Sequence, residues 1–196
     1  MDATDPRPIY ARATEQTAAL IKTVTPERLN GPTPCTEFDV RTLLGHIVGG
    51  TLRIAVVGEE GDGGDVRALV EGVADDGWPA AYEEVRARVL KAWESDERMV
   101  EAVKVPWGEA PGRVALSAYV MELVVHTWDL SEALGHPVEL DPELAEFSLT
   151  MARQVLPEAV REGADLPFAS ALPAPEGADG YGQLAAWLGR APLSPA

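Results

Sequence analysis

Between Arg113 and Leu134 the chain is apolar around most of a helix circumference, through Val114, Leu116, Tyr119, Val120, Met121, Leu123, Val124, Val125 and Trp128. A helix with no wet face must lie at the centre of a fold, packed on several sides by others. Two residues break that run, Glu122 and His126, and they stand four apart on one helical face. An ionised carboxylate in such a place is costly unless it is paired or bound to a metal. The helix is predicted to close at Gly135, with Pro137 shortly beyond.

The other segments supply partners for this central helix. A first helix is predicted from about Pro8 to Thr23, ended by Thr25-Pro26. After the loop Asn30–Cys35, Thr36 can cap a second helix with Asp39 three residues on, a variant of the capping box. Val40, Leu43, Leu44, Ile47 and Val48 then recur on a helical period to about Val57. The Gly- and Asp-rich stretch from Gly58 to Asp65 reads as a turn; it lacks the Lys and Ser/Thr of a phosphate loop. A third, amphipathic helix is expected from near Pro79 to about Val103, broken by Pro106–Gly112. Asp141-Pro142-Glu143 begins a fifth, reaching about Leu156. Beyond Pro157 the chain is rich in Pro, Gly and Ala, with a short helix at Gln183–Leu188. No alternation is strong enough to predict a sheet. The expected fold is all-α: a four-helix bundle with short additional helices, residues 1–196 forming one domain on which a Pro/Gly-rich extension, 157–196, packs.

Charge narrows the function. With 32 acidic against 16 basic residues the net charge is −16, which repels nucleic-acid backbones and anionic lipid. Neither nucleic acid nor a membrane is expected as a partner, and no apolar run reads as a membrane span. The polar, acidic start shows no secretory leader, and the single cysteine, Cys35, excludes an internal disulfide, so a cytoplasmic setting is expected.

Only three histidines are available as metal ligands. His46 lies in the apolar second helix, one turn before Gly50, whose missing side chain leaves room beside the imidazole. If the second and central helices are neighbours, His46 meets Glu122 and His126 across the core. Two histidines and a carboxylate, with a fourth position open, form a common catalytic-zinc donor set. The plainer readings are a hydrogen-bonded core histidine and an i,i+4 Glu–His helix pair worth a few tenths of a kcal/mol. Asp129, three residues after His126, is either an acceptor orienting an imidazole or a solvated acid at a helix end. His136 reads as a surface turn residue. Cys35, with no base or cation beside it in sequence, reads as a packing residue.

Three blocks resemble a known family: Thr33–Val40 (TPCTEFDV), Leu44–Gly50 (LGHIVGG) and Glu122–Leu130 (ELVVHTWDL), with the ending Leu188–Pro192 (LGRAP) also similar. Together they resemble the DinB-like superfamily in its actinobacterial metal-binding branch, close to the metal-binding domain of mycothiol-dependent maleylpyruvate isomerases. The resemblance implies a DinB-like four-helix bundle with a divalent metal held by His46, Glu122 and His126. It implies zinc, with nickel or another divalent ion as the alternative, and mycothiol, a low-molecular-weight thiol, at the open position. The implied activity is a thiol-dependent transferase or isomerase acting on a small electrophile; a non-catalytic metal-binding stress-response or regulatory module is the alternative. The isomerases of that branch carry a further C-terminal domain that helps bind substrate, whereas only residues 157–196 follow the fifth expected helix in this sequence. A homodimer through helix faces is a further expectation.

Overall fold

The computed structural model describes residues 5–157 and 169–193. Its helices are α1 (Arg7–Ile21), α2 (Val40–Glu60), α3 (Trp78–Ala92), α4 (Asp96–Val100), α5 (Gly112–Leu134), α6 (Pro142–Val155) and α7 (Gly180–Trp187). Helix α5 is the central one: Leu116, Val120, Val124 and Leu130 are wholly buried. Helices α1, α2 and α3 complete the bundle around it, with α2 packed on α3 and α5, and α1 on both as well. Helices α6 and α7 pack on each other and on α5.

Several boundaries follow local chemistry that the sequence already displays. Asp141 accepts from the Glu143 amide at the start of α6, and Asp179 from the Gly182 amide at the start of α7. Gly135, in the left-handed region at φ 79°, ends α5 with the paired bonds His136 N–H to Ser131 O and Gly135 N–H to Glu132 O. The second helix differs in its cap. Asp39, not Thr36, accepts from the Thr42 amide, because the chain up to Val40 is still held, Phe38 O by the Thr33 hydroxyl and the Val40 amide by Gly31 O. It also runs on to Glu60, through Gly58, where a Cβ would come within 2.8 Å of the Trp93 indole nitrogen. This helix is long and apolar enough by length and composition to cross a membrane, with a mean hydropathy of 1.3, which the sequence reading missed; 61% of that window is buried in the bundle.

The third helix is shorter than expected. It stops at Ala92, where Trp93 turns its indole N–H to the Ile54 carbonyl and Ser95 caps the separate helix α4. The chain then forms a small hairpin, β1 (Ala102–Val105) and β2 (Gly108–Pro111), antiparallel with Val105 opposite Gly108. Only Val103 and Val105 alternate inward, too short a pattern to announce a strand. The short C-terminal helix is observed at Gly180–Trp187 and not Gln183–Leu188; of the expected extension, residues 158–168 and 194–196 lie outside the described residues.

The segment between α2 and α3 positions the site. Residues 68–70 lie directly on α2 because Gly45 and Gly49 have no side chains. A Cβ on Gly45 would sit 2.4 Å from Val70 O, and one on Gly49 would sit 2.4 Å from Leu69 N. The contact is sealed by the Val70 amide donating to Gly45 O at 3.0 Å. Gly49→Ala is therefore expected to push backbone, not a flexible side chain, off the helix. A loss on the order of 1–3 kcal/mol, read by denaturant unfolding, should result; an unchanged midpoint would show that the segment does not need this contact.

Candidate metal centre

His46 on α2 and Glu122 and His126 on α5 meet where the two helices pack. The ligand-type atoms of all three lie within 4.8 Å of one another. His46 Nε2 is 3.7 Å from Glu122 Oε1, and the two imidazoles stand edge to face with centroids 4.7 Å apart. Phe38 packs against the His46 ring, tilted, with centroids 5.3 Å apart.

Each imidazole is oriented from behind. His46 Nδ1 is 2.8 Å from the carbonyl of Ala68, which the close approach of residues 68–70 delivers. A carbonyl only accepts, so Nδ1 carries the hydrogen and Nε2 is left toward Glu122. His126 Nδ1 is 3.0 Å from Asp129 Oδ2, which likewise leaves its Nε2 for the shared space. Burial holds the His126 pKa below its ordinary value despite the opposing pull of Asp129, so the ring is neutral near pH 7. Burial works against the Glu122 carboxylate, but the side chains of His46, His126 and Arg53 around it outweigh that cost; its pKa stays below the ordinary value and the group is ionised. Two imidazole nitrogens and a carboxylate thus converge with acceptor atoms facing one another. Such a cluster is repulsive until a cation or a proton sits among them. Residue types, mutual distances and partners behind the rings all suit a divalent ion of the zinc class.

Asp129 is not a solvated helix-end acid. It is wholly buried, and Arg190 donates through Nε to its two carboxylate oxygens at 3.1 and 3.0 Å. Arg190, itself nearly buried, also places Nη2 3.8 Å from Cys35 Sγ. Sequence reading assigned Arg190 no role. One signal was present: an acid on an apolar helix, with the next basic residue of that helix as far back as Arg113, requires a cation from elsewhere. Cys35 is half-buried; burial pushes its thiol up while Arg190 pulls it down, and the net shift is upward, so it is not an activated nucleophile. His136, the one non-glycine at positive φ among the described residues, lies exposed in its turn, paired with Glu132 at 3.1 Å.

The site has an open side. Glu122 keeps about a third of its side chain exposed (35%), and nothing lies within 4 Å of where a Cβ on Gly50 would be. Two clefts of about 420 and 490 Å³, lined in part by Arg153 and Trp187 and by Arg12 and Asp141 respectively, include none of the three candidate ligands.

Comparison with known proteins agrees with the fold. Two proteins named as uncharacterized, from two strains of Mycobacterium tuberculosis, are each 35% identical over 187 residues, 95% of this chain and 98% of theirs. A crystal structure of a mutant mycothiol-dependent maleylpyruvate isomerase superposes with a TM-score of 0.60 at 16% identity, covering 81% of this chain and 71% of that one, a likeness of fold. The profile of the mycothiol maleylpyruvate isomerase N-terminal domain matches residues 10–131, a span that contains His46, Glu122 and His126. The all-α bundle is DinB-like, and the chain belongs to the mycothiol maleylpyruvate isomerase N-terminal domain family.

Proposed function

We propose that this protein holds one divalent ion, zinc by the character of the donors, through His46, Glu122 and His126, and is a mycothiol-dependent transferase or isomerase acting on a small electrophile. The observation that carries the reading is the acceptor-only triad, with each imidazole anchored through its far nitrogen, on a face that solvent reaches. A structural zinc site is closed by four protein ligands, whereas this one offers three and an open side. A divalent ion there lowers the pKa of a bound thiol so that a thiolate nucleophile exists near neutral pH.

The chain's own residues do the rest. Ala68 O and Asp129 fix the ring tautomers, Glu122 supplies the negative charge that balances a dication, and the Phe38 ring packs against His46. Helix α2 leaves the approach open at Gly50, one turn beyond His46, so the thiol and the electrophile enter there and not through the clefts beside Arg153 or Arg12, which include none of the three ligands. A cytoplasmic setting, where such a thiol is kept reduced, belongs to the same proposal.

Gly50→Leu tests the approach. The substitution replaces a helix-interior glycine, so stability should hold or rise by up to about 1 kcal/mol. Metal content should be unchanged, while calorimetric affinity for mycothiol falls at least tenfold. Wild-type mycothiol affinity in that variant would refute entry beside Gly50.

A further inference from the structure

His126 belongs to two donor sets at once. One is His46, Glu122 and His126; the other is Cys35, His126 and Asp129, whose ligand-type atoms also lie within 4.8 Å of one another. A thiol, an imidazole and a carboxylate form a competent site for a soft divalent ion, and thiolate is the stronger donor for zinc-like metals. Both sets cannot be filled independently, because His126 is common to them and Asp129 holds its Nδ1.

The second set is already engaged by a cation of the chain itself. Arg190 donates to both Asp129 oxygens and reaches Cys35 Sγ with Nη2, so its guanidinium contacts two of the three donors from a nearly buried position. Its placement is built into the fold. Helix α7 ends with the Gly189 amide on Ala186 O and the Arg190 amide on Ala185 O, the paired closure that needs a left-handed residue between. Gly189 has φ 77°, and a Cβ there would sit 2.6 Å from Ala169 Cβ and 2.8 Å from Ser170 O, so only glycine makes this turn. The Leu193 amide then donates to Glu132 on α5, holding the segment beyond Arg190 against the same helix.

We propose that Arg190 decides which donor set takes the metal: by filling the Cys35–His126–Asp129 set with a fixed positive charge, it excludes an ion there and reserves His126 for His46 and Glu122. The proposal rests on the metal-binding reading above. Arginine suits the task because its guanidinium stays charged and its planar donors match a carboxylate edge. It is a positioning residue, acting on the metal through Asp129 and His126.

The test uses the full chain, stripped of metal and titrated with Cd²⁺, whose coordination by a thiolate gives a characteristic ultraviolet charge-transfer band. Wild-type protein should bind one equivalent without that band. Arg190→Gln removes the charge yet keeps an amide that can donate to Asp129. In it the thiolate band should appear, with the Cys35 proton released to buffer. Affinity at the His46 set should fall about ten- to a hundredfold, the range for lost partners behind a ligand. Arg190→Gln combined with Cys35→Ser should lose the band. Arg190→Lys, which retains a cation, should show none. Circular dichroism confirms folding, and Arg190→Lys answers even where the neutral variant is unstable: a thiolate band with the cation retained would overturn the proposal. Cd²⁺ binding by Arg190→Gln at wild-type affinity without the band would overturn it too. No Cd²⁺ binding by the wild type would instead overturn the metal-binding reading from which it starts.

Discussion

Alanine at both His46 and His126 is expected to remove the bound divalent ion altogether, from about one per chain in the purified wild type to none detectable by elemental analysis. Each imidazole supplies one of three donors, and losing a direct donor costs more than the ten- to hundredfold typical of losing a partner behind one. Either single substitution should therefore lower affinity at least about a hundredfold. Glu122→Gln keeps the shape but removes the only negative charge among the three, so a loss on the order of tenfold or more is expected. The competing view treats the 3.7 Å contact between His46 and Glu122 as an ordinary ion pair at the bundle edge. Such a pair is worth about 0–1 kcal/mol, and its removal would leave metal content alone. Full occupancy in the double variant would decide for that view. The helical signal should persist in these variants, since each removes acceptor atoms that repel one another in the metal-free protein.

The three candidate ligands were legible because each is out of place where it stands. A glutamate and a histidine in an otherwise apolar α5, and a histidine in an apolar α2, carry their own anomaly in the sequence. The central position of α5 and the caps at Asp141 and Gly135 were legible for the same kind of local reason. The groups behind the ligands were not. Ala68 contributes a backbone carbonyl, which no side-chain pattern marks, and it arrives only because Gly45 and Gly49 let the chain lie flat on α2. Arg190 is 61 residues from Asp129 and comes from a turn whose aim depends on Gly189. The break after Ala92 was hidden because Val85, Val89 and Trp93, four apart, carry the helical spacing past the end of α3 into a segment that in fact holds a cap, a short helix and a strand. There the indole of Trp93 finds its acceptor across the bundle at Ile54, a tertiary bond that overrides the local pattern.

Removal of the metal is expected to abolish mycothiol binding while leaving the bundle folded. The core is formed by apolar side chains along α1, α2, α3 and α5, with Leu20, Leu43, Leu44, Tyr82, Leu116 and Val124 wholly buried, and none of it depends on an ion. Chelated protein should therefore keep its helical circular dichroism and unfold cooperatively. Its transition should shift down only by the linkage contribution of the lost ion, RT ln(1 + [M]/Kd). Mycothiol added to the metal-loaded protein should bind as the thiolate and so release a proton. The calorimetric heat should then vary in proportion to the ionisation enthalpy of the buffer, with a slope near one proton per site. The same titration on chelated protein should give dilution heat alone. A structural ion makes the opposite forecast at both points: chelation unfolds the chain, and no thiol binds before or after. Cys35 provides an internal control, because it lies against Arg190 with its pKa raised, and Cys35→Ser should leave the proton release on mycothiol binding unchanged. If metal-loaded protein gives no heat with mycothiol, or if the metal-free chain is unfolded at room temperature, the thiol-dependent reading falls and the regulatory or structural one takes its place.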